Sequence, residues 1–388
     1  MRLRVSGTGL VIVAVSFCFW GMLGAPILID AYHFGEGIND FLCYYIGGTL
    51  AREGHFADLY RPAAQIQVQE RVAPSVKGPR AYIRPPWFAL ALAPLTSLPL
   101  LRAYTIWVGV MFTILLGTWA WGTAWFGEPA LLLAALFLPA NLGFCFGQDC
   151  AAMLAVLCVF FMLSEREKPF LAGMALGVGL IKPHLLLLFP VWMLLQKRWR
   201  MLAGFAAVAA TLLATAVLIL GTSGVASYLD LLLHGNTEIG GRSPQTMLNI
   251  YSLPVNFGIE SRPLNALLAV SIVGLAVFGV RRAPVWRAIC IASTGSLLIS
   301  PHVFGYDAAL LLLPIWLVMA NFTSNLSRYS ALVLCAPVTF LSTLAIRPFP
   351  CIPALALFVF FVALVADTAE QKVLQAKPIA TVGFLGPI

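Results

Sequence analysis

The sequence predicts an all-α, polytopic membrane protein built as one integral membrane domain over residues 1–388, and three observations carry that prediction. Of the 388 residues, 60% are apolar and only 10% are charged, against about 45–50% and about 25% in an ordinary soluble domain. The apolar residues are gathered into long runs, and about 20 of them suffice for a helix to cross a bilayer. The basic excess, 24 Lys plus Arg against 16 Asp plus Glu, sits in short links between the runs, where it reports orientation and not nucleic-acid binding. The eight cysteines form no C-x-x-C pair; most lie in apolar runs and read as small core residues without a metal or disulfide role.

The first run, Gly9 to Ile29, follows Arg2 and Arg4 without a small-residue cleavage site, so it reads as a retained helix with its N-terminus in the cytoplasm. Further runs occupy about 103–125, 130–145, 150–163, 169–196, 201–220, 264–280, 286–300, 306–320, 329–345 and 350–366, giving about 11 to 13 membrane helices when partial ones are counted. Basic clusters at Arg166 with Lys168, at Lys197, Arg198 and Arg200, at Arg281, Arg282 and Arg287, and at Lys372 and Lys377 mark the cytoplasmic side. Alternate crossings then put 30–84 and 222–262 outside as two large loops, with short outer links around Gln148, His302 and Arg347, and leave 368–388 as a cytoplasmic tail. The protein is expected in the cell (inner) membrane with its polar residues gathered on the outer face. The 169–196 run must leave and re-enter the cytoplasmic side, so each arm around Lys182-Pro183 has only about 13 residues, roughly 20 Å of helix. Such short arms suit the floor of a cavity. The 86–98 run is short as well and reads as a partly inserted segment.

The first outer loop is expected to carry interfacial helices. Residues 40–52, DFLCYYIGGTLAR, place Phe41, Tyr44, Tyr45 and Leu50 near one side at helical spacing. A second helix, roughly Ala63 to Val72, follows Tyr60-Arg61-Pro62, with Pro suited to a first turn. In the second outer loop, Tyr228 to Leu233 forms a short amphipathic helix before a Gly, Asn and Ser-rich connection from Gly235 to Asn249.

Ionisable residues at membrane depth are costly and therefore mark candidate sites. Asp40 opens the first interfacial helix, where it suits both an N-cap and a fixed carboxylate. Arg84, in Tyr82-Ile83-Arg84-Pro85-Pro86-Trp87, is placed either to snorkel to headgroups or to meet a lipid-borne phosphate. Gly147-Gln148-Asp149 is a tight polar link in which Asp149 has the position of a helix cap. Lys182-Pro183-His184 puts a cation between apolar arms, and its needed anion is a phosphate or an internal partner, Asp149 or Asp307. Ser300-Pro301-His302 with Tyr306-Asp307 adds an outer cluster. The sequence has no G-x-x-x-x-G-K-[ST] loop, no H-E-x-x-H or Cys/His ligand spacing and no G-x-S-x-G elbow, which removes ATP-driven transport, zinc hydrolysis and serine hydrolysis from the field.

The ordered set Asp40-Phe41 with Tyr44-Tyr45, Leu59-Tyr60, Tyr82 with Pro85-Pro86, Gly147-Gln148, Lys182-Pro183-His184, Ser300-Pro301-His302 and Tyr306-Asp307 resembles glycosyltransferase family 87, from the first helix to about Pro314. The resemblance implies a C-type membrane glycosyltransferase (GT-C-like) bundle. It implies a sugar donor on a polyprenyl phosphate, most often mannose but in relatives arabinofuranose, and a glycan or glycolipid acceptor at the outer face. It also implies transfer with inversion, with Asp40 as general base. Chemistry adds Arg84, Lys182 and His184 as donor phosphate ligands, since the leaving phosphate's charge needs fixed cations. Tyr44, Tyr45, Tyr82, Gln148, Asp149, His302, Tyr306 and Asp307 are expected in the substrate cavity. No cofactor and no metal are expected, because a lipid monophosphate facing protein cations needs no divalent ion; the partners are membrane lipid, donor and acceptor, with no nucleic acid. A polytopic carrier or flippase for a lipid-linked sugar shares the helices and cations and is the competing class; a non-catalytic assembly subunit is a third.

Overall fold

The structure, a computed structural model, describes residues 39–234, 244–321 and 323–374, with positions 7, 11, 14 and 15 besides. The expected first helix, the connection through 235–243 and the chain after 374 lie outside the described residues. Within them every regular element is helical and no strand occurs. In chain order the α-helices are α1 Asn39–Arg52, α2 Pro62–Val72, α3 Pro86–Leu92, α4 Leu100–Phe126, α5 Glu128–Leu136, α6 Leu138–Cys145, α7 Cys150–Glu165, α8 Pro169–Val178, α9 Leu188–Leu195, α10 Trp199–His234, α11 Ser252–Asn256, α12 Arg262–Val280, α13 Val285–Ile299, α14 Leu312–Ala320, α15 Asn325–Cys335, α16 Pro337–Leu341 and α17 Ile352–Leu374. Four stretches are long and apolar enough to cross a membrane: Leu100–Phe126, Trp199–Leu231, Arg262–Val280 and Phe349–Thr368. Shorter apolar helices, among them Cys150–Glu165 and Val285–Ile299, pack between them.

Several runs that read as single segments are divided, each for a local reason. The 130–145 run breaks at Phe137, whose backbone is extended; Pro139 has no N–H to continue the first helix by bonding back to Ala135, and it suits the first turn of the next. The 306–320 run begins as a 3-10 helix over Gly305–Leu311 before α14. The 329–345 run starts earlier, at Asn325, because the Ser324 hydroxyl accepts from the Ser327 N–H, and it ends at Cys335 just before Pro337. The expected crossing over 201–220 and the expected helix at 228–233 belong to one element, α10, bent at Gly221 where φ is 66°. The last helix runs on to Leu374, so the expected tail from 368 begins as helix. The 169–196 run is the two-armed segment the lysine suggested: α8 and α9 flank two 3-10 turns, Gly179–Ile181 and Pro183–Leu185.

Helix α13 lies at the centre. From Arg287 to Leu298 every residue is buried, as expected of a helix surrounded by others. Its Ser296 hydroxyl accepts the Leu188 N–H at 3.0 Å, satisfying one of the free donors at the start of α9. Helices α8 and α10 cross closely, since a side chain at Gly173 would strike the Met201 carbonyl and one at Gly204 the Phe170 carbonyl; small residues at such crossings let backbones meet in a membrane protein. The apolar core has two parts. One joins α1, α3 and the start of α4 with Leu220 and Leu231 of α10, and the other centres on α7, α9, α13, α14 and α17.

Candidate functional site

A cavity of about 210 Å³ opens where the two core parts meet, lined from one side by α1 and the 79–84 segment and from the other by the Lys182 break and the 302–307 loop. Three helix starts converge on it. Asp40 lies in the first turn of α1, Asp149 is the residue before α7, and Asp307 lies in the first turn of the Gly305–Leu311 helix. Carboxylates at helix starts are favoured by the positive end of the helix dipole; the fold brings the three starts together, with Asp40 and Asp307 lining the cavity and Asp149 just behind its wall.

Lys182 sits at their centre. It is 1% exposed, and its Nζ lies 2.8 Å from Asp149 Oδ1 and 2.7 Å from Asp307 Oδ1, with Gln148 Oε1 accepting at 3.0 Å. Cys150 Sγ accepts as well, at 3.5 Å, so the ammonium group is surrounded by four internal partners. The Tyr306 ring adds a cation–π contact at 5.4 Å. Asp307 Oδ2 accepts the Phe304 N–H at 3.0 Å, so this carboxylate both begins its helix and holds the lysine. Arg84 Nη2 donates to Tyr44 Oη at 2.9 Å, Gln148 Oε1 at 3.2 Å and Asp149 Oδ1 at 3.4 Å.

Of the two kinds of anion left open for Lys182, the structure supplies the internal ones, Asp149 and Asp307, and it gives Arg84 an acid as well. Folding brings Asp149 to both and Asp307 to Lys182, because neither charge could be buried unpaired. The N-cap account of Asp149 is corrected: it occupies the cap position, but its side chain makes no capping hydrogen bond and turns to the cations. Its Oδ2 is buried without a hydrogen-bond partner.

Gln148 joins the parts. Its Oε1 accepts from Tyr44 at 2.8 Å as well as from Arg84 and Lys182, and its side chain hydrogen-bonds Asp40. With the oxygen fully taken by donors, the amide nitrogen is the end that faces the carboxylate. Gly147 gives the link its shape, with φ at 66° and its carbonyl accepting from Trp107 Nε1 at 2.8 Å. Asp40 is only partly buried and lines the cavity. Burial holds its carboxyl above the ordinary carboxylate range, opposed by the Gln148 hydrogen bond and by the charges of Lys182, Arg84 and Arg80. His184 and His302 also line the cavity, their rings 6.4 Å apart.

Three residues expected in the cavity do not line it: Asp149, which is buried against Lys182 and Arg84, and two tyrosines. Tyr45 turns to the other side of α1 and donates to the Leu98 carbonyl at 2.8 Å. Tyr82 is fully buried against Gly47 and donates to the Pro85 carbonyl at 2.6 Å. The two tyrosines tie the segments between residues 40 and 98 together. Tyr44, one helical turn from Asp40, does line the cavity, as do Gln148, Tyr306 and Asp307. The sequence reading passed over Arg80, Cys43 and Phe304, which line it too; Arg80 lies four residues before Arg84, and that basic pair was the available signal.

Among the described residues no three His, Cys, Asp or Glu side chains are arranged to hold a metal ion. Asp149 and Asp307 are instead engaged by Lys182. Comparison with curated proteins finds no match, and neither does comparison with solved structures. The family model of glycosyltransferase family 87 matches residues 82–301, which include Arg84, Gln148, Asp149 and Lys182 and stop short of His302, with Asp40 before them. That span is more than half of the chain, and the chain belongs to glycosyltransferase family 87.

Proposed function

We propose that the protein transfers a sugar, mannose in the first instance, from a polyprenyl-phosphate donor to a glycan or glycolipid acceptor at the outer face of the cell (inner) membrane. The observation that carries this reading is the partly buried Asp40 carboxylate, facing the same cavity as an ordered set of cations but separated from them by the Gln148 amide. In the proposed reaction the acceptor hydroxyl oxygen attacks the anomeric carbon on the face opposite the phosphate. The bond from that carbon to the phosphate oxygen breaks and its electron pair stays on the phosphate. Asp40 takes the hydroxyl proton as the new bond forms, and the configuration inverts. The phosphate would lie in the part of the cavity that Arg84, Lys182 and His184 line, and their field, without displacing the internal acids, stabilises the developing negative charge. A metal is not needed in this scheme. The reading takes the protein as a GT-C-like bundle in one domain, with 30–84 and 222–262 as outer loops and 368–388 inside.

The test is full-length protein in lipid nanodiscs, given synthetic polyprenyl-phosphate mannose and polyprenyl-phosphate arabinofuranose with mixed membrane glycolipids. Transfer with inversion is expected in the wild type, and Asp40→Asn should lower it by about 10²–10⁴-fold while donor binding persists. Movement of intact donor across a proteoliposome without transfer would favour the carrier reading. Neither transfer nor movement would leave a non-catalytic subunit.

A further inference from the structure

We infer that Arg80 is the residue that directly contacts the phosphate of the donor. The inference rests on the donor class proposed above and follows from how charge is committed around the cavity. Lys182 Nζ is surrounded by Asp149, Asp307, Gln148 and Cys150, and Arg84 Nη2 is engaged by Tyr44, Gln148 and Asp149. The two cations are matched by two carboxylates, so this buried group is neutral as a whole. A phosphate arriving there would have to displace an internal acid from a site where both partners are buried.

Arg80 differs in each respect. It lines the cavity, it takes part in none of the ion pairs among the described residues, and its Nε is buried without a hydrogen-bond partner. Only Nε is covered; the rest of this half-buried side chain is what an acceptor arriving from outside can reach. The planar fork of an arginine matches phosphate oxygens in pairs. Its backbone is held in place: Gln69 Oε1 accepts the Arg80 N–H at 2.8 Å, and Gln69 Nε2 donates to the carbonyls of Val76 at 3.2 Å and Gly78 at 2.8 Å. Gln69 is itself buried on α2, so the loop presents Arg80 from a fixed base. Its charge acts on Asp40 less strongly than those of Lys182 and Arg84 do. A donor phosphate held by Arg80 would bring its sugar into the cavity that Asp40 lines, with the face turned away from the phosphate left to the base.

The experiment uses the full chain in nanodiscs and two probes that differ by one group, farnesyl phosphate and farnesol, in equilibrium binding. Wild type is expected to prefer the phosphate. Arg80→Gln should weaken farnesyl phosphate binding by at least about tenfold and leave farnesol unchanged, with Arg80→Lys recovering part of the loss. Wild-type preference with an unaltered Arg80→Gln variant would overturn the assignment while leaving the donor class standing. Equal loss of both probes would make Arg80 structural and overturn it too. A wild type that does not distinguish the probes would remove the donor class and this assignment together.

Discussion

Replacing Lys182 with methionine removes the one group that neutralises two buried acids, and the structure specifies how unequal the damage is. The side chains of Lys182, Asp149 and Asp307 are each 2% exposed, so water cannot take over the lost contacts. Removing one member of such a pair costs about 3–5 kcal/mol because an uncompensated charge remains. Asp149 would keep Arg84 at 3.4 Å, and Gln148 would keep Tyr44 and Arg84. Asp307 would keep only the Phe304 N–H as a close hydrogen-bond donor of comparable strength. The orphan is therefore Asp307, and adding Asp307→Asn to Lys182→Met should recover stability by about 1–3 kcal/mol. Adding Asp149→Asn should recover less, since it also strips Arg84 of its acid. Unfolding in mixed micelles of rising denaturing detergent, followed by circular dichroism, gives all four stabilities. A Lys182→Met protein within about 1 kcal/mol of wild type, or better rescue through Asp149, would refute the account of this cluster.

The raised pKa of Asp40 carries two expectations of opposite sign. A base works only when ionised, so the acid limb of the transfer rate should lie above the pH of about 4 at which an ordinary Asp titrates; a limb at or below that value counts against it. For stability, a folded pKa above the unfolded one gives a contribution that is complete below the unfolded pKa and lost as pH rises through the folded pKa, so Asp40→Asn should melt no lower than wild type at neutral pH, and a lower melting temperature would contradict this. Gly47→Ala would drive a methyl into the Tyr82 ring, which its hydroxyl bond to Pro85 holds in place; overpacking of about 1–3 kcal/mol is expected in the same unfolding assay. Tyr228 of α10 stacks on Tyr60 with centroids 4.5 Å apart, and a double-mutant cycle of Tyr60→Leu with Tyr228→Leu should return a coupling of about 0.5–1.5 kcal/mol, a value near zero disproving the link.

Much of the scaffold could be read from hydropathy, because a run such as 103–125 has few other ways to satisfy its backbone in a membrane, and α4 occupies Leu100–Phe126. The break at Lys182 was equally legible: a lysine and a proline together interrupt an apolar run wherever they fall. Breaks set by subtler backbone effects were less so, as at Phe137, where only Pro139 gives the sign. Within the site, the sequence singled out the costly residues but not their partners. Asp307 stands 125 positions from Lys182, and no local spacing encodes such a pairing. Tyr44 and Tyr45 are neighbours in a helix, about 100° apart around its axis, and aromatic character alone does not say which one turns inward. Arg80 was passed over because an arginine in a polar loop looks like any solvated charge until its neighbours are known.

Gln148 has a direction. Three donors grip its oxygen, and its nitrogen faces Asp40, so flipping the amide would break every contact at once. An amide nitrogen does not take up a proton at neutral pH, and the Gln148 side chain therefore does not itself relay a proton from Asp40 to Lys182. A proton collected by Asp40 in the proposed transfer has its exit through the open side of the cavity, so turnover resets the base against the surrounding water and leaves the internal charges unchanged from one cycle to the next.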